Sequence, residues 1–599
     1  MKKSDKKSNM SRRHFIALTG GAAGLATLAT MGVSSGWADN AAEVNPDEMK
    51  QRNEETDVLV IGSGIAGLFA AVKAHDAGAR VTMVSKGRLG SSGQTPFARG
   101  IFAYDPATAE MSLDEFTAAV SRSALGTNNP VYTRQMAEHS LARVNELKAW
   151  GFFESPLYNK AFSQPIEERN IPVIERMVVT HLIKEQGRIA GAAGFSLDEA
   201  AVTFFKARSV VLCTGAGGFK PNGFPICDLT HDGTVMAYRI GARVTGKEWN
   251  DGHGGRAENP AACYDGWQGV LEQNPGVTGI GIRHDLGVGE NYTAYINGNG
   301  STQGPPGRSS GGNSDGGPYV PEEFQRSGPP GGGGPPGGEG PPGGGRPPGG
   351  GRPPGGDRKG GGPPGGGPPG GGRGAAVGGS SAGMSIHKAE GLVPINDKCE
   401  SDIPGLYAAG DALGSYQAGA IYTQIGSSLA GSAVQGAIAA EAAAEYSRKA
   451  AAPVISAARA RAVEKEILAP LKRTSGYGPA WVTQTLQGIM IPNFVIYIKK
   501  ENILKAALAY VEELRDHHMP MLRAADLHEL RLAHETANMI VNAEMKLRAS
   551  IMRTESRCSH YRLDYPELDD VNWRAWINIR QGADGTMQLE KQPFDSWPA

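Results

Sequence analysis

The sequence predicts an α/β fold: a Rossmann-like dinucleotide-binding unit near the start, further strand–glycine stretches later in the chain, and a helical domain at the C-terminal end. Three observations carry this. Near the start, a short apolar strand runs through a glycine-rich turn into a helical pattern and a second strand. Two more apolar strands, in "SVVLCTGAGGF" (Ser209 to Phe219) and "IPGLYAAGDALGS" (Ile403 to Ser415), each end in a glycine turn on either side of a long intervening segment. Beyond about Ala452, apolar residues recur with helical period through "ENILKAALAYVEELRDH" and "LHELRLAHETANMIVNAEMKLRASIMRTESR".

The first element sets the chemistry. Val58 to Ile61 is an apolar run suited to a buried parallel strand, and Gly62-x-Gly64-x-x-Gly67 turns directly into a helix through Leu68, Ala71, Val72 and Ala74. Gly62 permits the tight turn, Gly64 lets the backbone approach a pyrophosphate, and Gly67 lets helix and strand pack closely. The free N–H groups and positive dipole end of the helix then face the phosphates. Arg80 to Val84 follows as the second strand, at the spacing of a right-handed βαβ unit. It ends at Ser85, where a simple NAD site places a carboxylate for the ribose, and the two later strand–glycine stretches suit FAD better.

Composition narrows the partners. A chain of 599 residues with 40% hydrophobic content can fill the cores of two or three domains. Its 60 basic side chains against 61 acidic ones give no long-range field for a polyanion, which argues against nucleic acid. Cys213, Cys227, Cys263, Cys399 and Cys558 lie far apart with no C-x-x-C pair, so no iron–sulfur cluster, covalent haem or other metal site is expected. Their odd number forbids a complete disulfide framework within one chain, and buried free thiols are expected.

Residues 1–38 read as a targeting segment and residues 39–55 as a polar linker. A basic stretch leads to Arg12-Arg13, Phe15-Ile16 and a Gly/Ala/Leu-rich span, and small residues at Gly36 and Ala38 permit cleavage after Ala38. The pattern resembles a twin-arginine signal, whose export machinery moves folded cargo, and implies a periplasmic or other extracytoplasmic location. The alternative is an uncleaved membrane anchor: Phe15 to Val33 is nearly long enough, but its Gly, Ala and Thr give little transfer energy.

The stretches "VLVIGSGIAGLFAA", "VSKGRLGSSGQT", "CTGAGG", "HDGTVMAYRIGA", "GLYAAGDALGS", "GSSLAGSAVQGAIAA" and "RTESRCSHYRLDYPELDDVNW" follow one another along the chain. Together they resemble the flavoprotein-subunit family of succinate dehydrogenase, fumarate reductase, L-aspartate oxidase and adenylylsulfate reductase. The resemblance implies an FAD-binding domain over residues 56–246 and 378–451, an α+β capping domain over 247–377, and a C-terminal helical domain over 452–599. By the same resemblance FAD contacts Gly62, Ser63, Gly64, Ala66 and Gly67, then Ser85 and Lys86, then Ser91, Ser92, Gly93 and Gln94. Thr214, Gly215, Asp232, Gly410, Asp411, Ser427, Ser428 and Leu429 hold it on the return half. The Asp411 carboxylate can accept from ribityl hydroxyls while adjacent N–H groups meet phosphate. Members that attach their flavin covalently do so through a His in a Ser-His-Thr triplet; Ser92-Gly93-Gln94 stands here, so FAD is expected without a covalent bond. A protein that loads so large a cofactor in the cytoplasm suits an export route for folded cargo.

The resemblance also assigns chemistry to the cap. Reduction of a C=C bond conjugated to a carboxylate brings hydride to one carbon while negative charge grows toward the carboxylate, and an acid returns a proton to the other carbon. His253 matches the family's substrate-binding His, Arg256 is its partner, and Arg283 lies near the position of the proton-delivering Arg, without the "R-G-E-G" around it. Dicarboxylate enzymes have a His just before "M-G-G" and an Arg in "G-A-N-R-x-G-S-N-S-L"; this chain has "GGSSAGMSIH" and "GAIYTQIGSSL". Fumarate thereby loses the clamp on its second carboxylate. A ring, hydroxyl or amide suits Tyr422 and Gln424 better, and His387 is a further substrate-binding candidate. Arg553, Glu555, Arg557, His560 and Arg562 read as an ion-pair network at the domain junction, with a substrate contact for Arg557 as the alternative.

Ser327 to Gly372, a Gly/Pro-rich tract within the cap, has no apolar residue with which to build a core. Gly does not recur at every third position through it, which excludes collagen and leaves a flexible loop with polyproline-like pieces. The whole predicts an exported, fumarate-reductase-like FAD-dependent oxidoreductase acting on an activated C=C or CH–CH bond of a small organic acid or related molecule. With no cluster or haem of its own, it would exchange electrons with an external partner such as a cytochrome, a quinone-linked membrane protein or an iron–sulfur subunit. The same fold run in reverse is a dehydrogenase or oxidase passing electrons to a quinone or oxygen, and a non-catalytic flavin carrier or envelope-binding protein is the rival of another class.

Overall fold

The computed structural model describes residues 45–95, 101–107, 109, 111–152, 159–220, 229–249, 290–291, 390–414, 416–420, 426–490, 495, 498–558 and 560–596. The expected signal at 1–38, the Gly/Pro tract at 327–372 and nearly all of the expected cap lie outside them.

Strand β1 (Lys50–Ile61) passes through the glycine turn into helix α1 (Ile65–Asp76) and strand β2 (Val81–Val84). Residues Ile65 to Val72 of α1 are all buried, which explains an apolar pattern with no polar face. Strand β3 (Phe102–Ala103) and helices α2 (Leu113–Ser123), α3 (Pro130–Ala149) and α4 (Asn159–Glu168) lead to strands β4 (Val173–Ile174), β5 (Met177–Glu185), β6 (Arg188–Ser196) and β7 (Ala201–Leu212). Helix α5 (Asp232–Arg239) and strand β8 (Val244–Thr245) end the first half; β9 (Glu290–Asn291) pairs with β3. The chain returns through β10 (Gly391–Leu392), β11 (Leu406–Ala408) and the long helix α6 (Ser427–Lys449).

One seven-stranded sheet unites the two halves, in the order β4-β2-β1-β7-β6-β5 with β11 also on β7. The last third of β7 lies between β1 and β11, both parallel to it (Leu59↔Val210, Leu406↔Val210), and its first half pairs antiparallel with β6. Parallel strands thus end together at Ile61, Val84, Leu212 and Ala408, the edge beyond which ligands bind in open α/β sheets. Helix α6 packs on α1 through small residues: a Cβ on Gly436 would lie 2.4 Å from the carbonyl oxygen of Ala66.

Two features depart from the sequence reading. The expected linker reaches only to Met49, because Lys50 to Thr56 already pair in register with Ala201 to Ala207. Residues 50–55 are exposed, so backbone hydrogen bonds hold this extension and no apolar residue announces it. The C-terminal region is helical through α7 (Ala457–Lys472), α8 (Pro479–Met490), α9 (Glu501–Glu513) and α10 (Leu527–Met552), with the short pair β12 (Ile498–Lys499) and β13 (Tyr561–Arg562). After the single turn α11 (Asp570–Trp573) it closes on a hairpin, β14 (Ala575–Gln581) and β15 (Met587–Pro593), that joins β8 and β10 in a second sheet. Asn578 pairs with Thr245, so the hairpin fastens the C-terminal region to the end of the first half.

Cys213, Cys399 and Cys558 are buried free thiols; Cys227 and Cys263 lie outside the described residues. Among the described residues no helix is long and apolar enough to cross a membrane.

Candidate cofactor site

The glycine turn is built by close contact. Gly62 has φ +113°, and a Cβ there would lie 2.1 Å from the carbonyl oxygen of Cys213. A Cβ on Gly67 would lie 1.9 Å from the carbonyl oxygen of Gly62, so only glycine lets α1 seat against the end of β1. Gly64 differs: its nearest neighbour would be Thr95 Oγ1 at 3.3 Å, and the space before it stays open. Thr95 Oγ1 accepts from the Ile65 N–H at 3.1 Å, tying the first turn of α1 to the loop that follows β2.

In front of this turn lies a cavity to which both halves of the chain contribute. Ile61 to Ala66, Val84 to Gly87, Ser92 to Thr95 and Cys213 to Gly215 line it from the first half, with Asp232; Ala409 to Asp411 and Ser432 line it from the second. Met177, Val179 and Met236 add an apolar wall. Of the residues expected to contact FAD, Gly62, Ser63, Gly64, Ala66, Ser85, Lys86, Ser92, Gly93, Gln94, Thr214, Gly215, Asp232, Gly410 and Asp411 are in this lining.

The others stand back from it. Gly67 packs behind the turn, and Ser91 is exposed on the loop, its hydroxyl 3.4 Å from the Arg88 carbonyl. Ser427 and Ser428 open α6, with Ser427 and Leu429 buried in its packing. Sequence reasoning missed Thr95 and Ser432; the place of Thr95 directly after Gln94 was the available signal for the first.

The lining fits a dinucleotide. Thr214 Oγ1 is buried there with no hydrogen-bond partner, a donor left for a ligand oxygen. Ser63 and Ser85 face each other with their hydroxyl oxygens 2.6 Å apart, joining the ends of β1 and β2. Gly215 and Gly410 take φ of +69° and +65°, and a Cβ on Gly410 would crowd Ser432 Oγ at 2.8 Å and Ala66 Cβ at 3.1 Å. Glycine backbone just after the ends of β1, β7 and β11 therefore borders the space.

The charged members of the lining are already engaged. Lys86 Nζ donates to Asp232 Oδ2 at 2.7 Å, Glu535 Oε1 at 2.7 Å and Thr230 Oγ1 at 3.2 Å, which uses all three of its protons. Burial opposes the ammonium, but the two carboxylates outweigh it and hold the Lys86 pKa above its ordinary value. Burial likewise opposes the Asp232 carboxylate and is outweighed by Lys86, so its pKa is lowered. Asp232 also accepts from Asn538 Nδ2 at 2.8 Å. Both partners on α10 were outside the sequence reading.

The junction residues form the expected network. Arg553 donates to Glu248 at 2.8 and 2.9 Å and to Glu555 at 2.8 Å, while Arg557 donates to Glu555 at 2.8 Å and Asp570 at 2.7 Å. Arg562 pairs with Asp564 at 2.8 Å. Lys499 Nζ lies 2.9 Å from His560 Nδ1, and burial drives the pKa of both down. The guanidinium of Arg557 is committed to these partners and to the Leu125 carbonyl, and it lies outside the cavity lining. His253, Arg256, Arg283, His387, Tyr422 and Gln424 lie outside the described residues.

Comparison with known proteins agrees with this geometry. Residues 57–161 match the FAD binding domain family, and residues 483–598 match the fumarate reductase flavoprotein C-terminal family. One chain of the fumarate reductase (CoM/CoB) of Methanothermobacter marburgensis is 26% identical over 234 residues, 33% of this chain and 42% of that one. L-aspartate oxidase of Streptomyces coelicolor is 29% identical over 231 residues, covering 33% and 40%. The chain thus spans about two-fifths of the length of these curated relatives. Among solved structures, E. coli quinol fumarate reductase superposes with a TM-score of 0.65 at 18% identity, covering 90% of this chain and 97% of its own. Adenylylsulfate reductase from Archaeoglobus fulgidus gives 0.63 at 19%, covering 92% and 98%. The chain therefore carries an FAD binding domain and a fumarate reductase flavoprotein C-terminal domain on the fold of those flavoproteins, and FAD is its cofactor.

Proposed function

We propose that the protein is an exported, fumarate-reductase-like FAD-dependent oxidoreductase, acting on an activated C=C or CH–CH bond of a small organic acid or related molecule and exchanging electrons with a separate protein. The observation that carries the reading is the start of α1, which opens between Gly62 and Gly67 into a cavity lined by both halves of the chain. The kinship with fumarate reductase and L-aspartate oxidase supports the reaction class.

Backbone N–H groups at the start of α1 hold the pyrophosphate, Thr214 Oγ donates to a ligand oxygen, and the Asp411 carboxylate accepts from ribityl hydroxyls. Bound FAD supplies a hydride carrier at ring nitrogen N5. His253 and Arg256 balance the negative charge that grows on the substrate, and Arg283 returns the proton. Tyr422, Gln424 and His387 select a substrate other than a simple dicarboxylate. With Gly93 in the Ser92-Gly93-Gln94 stretch, the flavin is held without a covalent bond.

The test is anaerobic spectroscopy on the purified protein. Reoxidation of dithionite-reduced flavin by unsaturated acids is expected; bleaching by reduced substrates with no response to acceptors would reverse the direction. A colourless protein that takes up no FAD overturns the whole reading. Acid precipitation should leave the flavin in the supernatant. Export is tested by Arg12→Lys with Arg13→Lys, which should retain the protein in the cytoplasm.

A further inference from the structure

Helix α10 carries a stripe of polar side chains where a buried helix ordinarily presents apolar ones. Glu535, Asn538, Asn542 and Lys546 follow at spacings of three, four and four, which places them on one face, and all four are at most 3% exposed. A buried polar seam is commonly less stable than an apolar one of equal volume, so what this stripe touches bears on why it is polar.

Its first two members reach the FAD cavity. Glu535 accepts from Lys86, and Asn538 donates to Asp232. Its last two reach the first residues of the expected cap. Asn542 Oδ1 accepts from Lys247 Nζ at 2.7 Å, and Lys546 Nζ donates to the carbonyls of Lys247 at 3.0 Å and Trp249 at 2.9 Å. A second route runs alongside. His231, next to Asp232, lies 2.9 Å from Glu390, which is 2.6 Å from Lys247. Asn538 Oδ1, Asn542 Nδ2, His231 Nε2 and Glu390 Oε2 are buried without partners along the same seam, each a place for a bound water.

We propose that α10 couples occupancy of the FAD cavity to the geometry of Lys247 to Trp249, with Glu535 and Asn538 as positioning residues toward the cofactor and Asn542 and Lys546 as positioning residues toward the start of the expected cap. The proposal rests on the reading that the cavity holds FAD. Its function is to set the chain that leads toward His253 only when cofactor is in place. Coupling of this kind is reciprocal: disturbing the far end of the stripe changes how FAD is held.

The experiment uses the full-length protein loaded with FAD. Flavin release after dilution is followed by recovery of its fluorescence, and amide hydrogen exchange is followed at Lys247 to Trp249 with FAD present and removed. In the wild type, FAD slows exchange at these amides. Asn542→Leu, which removes the acceptor for Lys247 at a position outside the cavity lining, is expected to speed FAD release at least threefold. Asn542→Asp, which keeps an acceptor for Lys247, should restore the slow rate. A folded Asn542→Leu protein that releases FAD at the wild-type rate overturns the proposal. So does a wild type whose amides at 247–249 ignore FAD, and that measurement decides the matter if the variant fails to fold. A wild type that binds no FAD at all overturns the cofactor reading itself, a result distinct from indifferent amides in a protein that does bind it.

Discussion

The guanidinium of Arg553 lies 4.5 Å from the centroid of the Trp249 ring while it donates to Glu248, the residue before that ring in the chain. Both acidic partners of Arg553, Glu248 and Glu555, are fully buried. Removing the cation strands the Glu248 carboxylate without its ion-pair partner and away from water, while Glu555 keeps Arg557. Arg553→Met should therefore destabilise the protein by about 3–5 kcal/mol, read as a fall in the denaturant midpoint. Arg553→Lys should recover only part of this, because one ammonium cannot reproduce the planar fork.

The glycine turn gives a prediction with an internal control. Gly62→Ala meets both a positive φ and a carbonyl at 2.1 Å, so it should lower stability by more than about 2 kcal/mol and yield protein without flavin. Gly78 also has positive φ, +86°, but nothing within 4 Å of a Cβ. Gly78→Ala should cost only about 1 kcal/mol and leave flavin content untouched. Equal losses in the two variants would show that backbone strain, not the close contact, sets the cost at Gly62.

Thr214→Val removes one hydroxyl that has no partner within the described protein and keeps the side chain's shape. Protein stability without FAD should hold or rise slightly. FAD affinity should fall roughly five- to tenfold, the worth of one ligand hydrogen bond of about 1 kcal/mol. Titration of flavin into the apoprotein reads this directly.

Acid should weaken the seam between the halves. Burial works against the Glu390 carboxylate, but Lys247 and His231 outweigh it and bring its pKa from 4.5 down to about 2. A depressed folded-state pKa contributes stability that is present above 4.5 and is lost as pH falls toward 2. Glu390→Gln should flatten that part of the stability profile, removing a contribution on the order of 3 kcal/mol. Unfolding midpoints measured from pH 6 downward for both proteins test it; parallel curves would remove Glu390 as the source.

What could be read in the sequence follows from how local each signal is. The turn from Val58 to Gly67 carries its strand, glycines and helix within one short run, and the arginines from Arg553 to Arg562 are dense enough to announce a buried ion-pair network. Lys86 was visible as a residue of the cavity, but its engagement with Glu535 was not, because the two are 449 positions apart. The same holds for Glu248 and Arg553, 305 apart. β14 and β15 escaped because a hairpin after a long helical run differs from it only in a few alternating residues, and the pairing of Asn578 with Thr245 is set by tertiary packing. Lys50 to Glu55 were unreadable for another reason: an exposed ladder is specified by its backbone, which every sequence shares.

That exposed ladder has a practical consequence. β1 rises about 3.3 Å per residue, so Lys50 lies roughly 35 Å from Ile61 at the cavity rim, at the opposite end of the strand. A surface tether or fluorescent reporter fused ahead of Lys50 therefore projects from the remote end of the sheet, where β1 pairs with the start of β7 and β7 in turn with β6. Immobilised by that end, the protein would present its cavity-side edge outward, an orientation suited to wiring the flavin to an electrode.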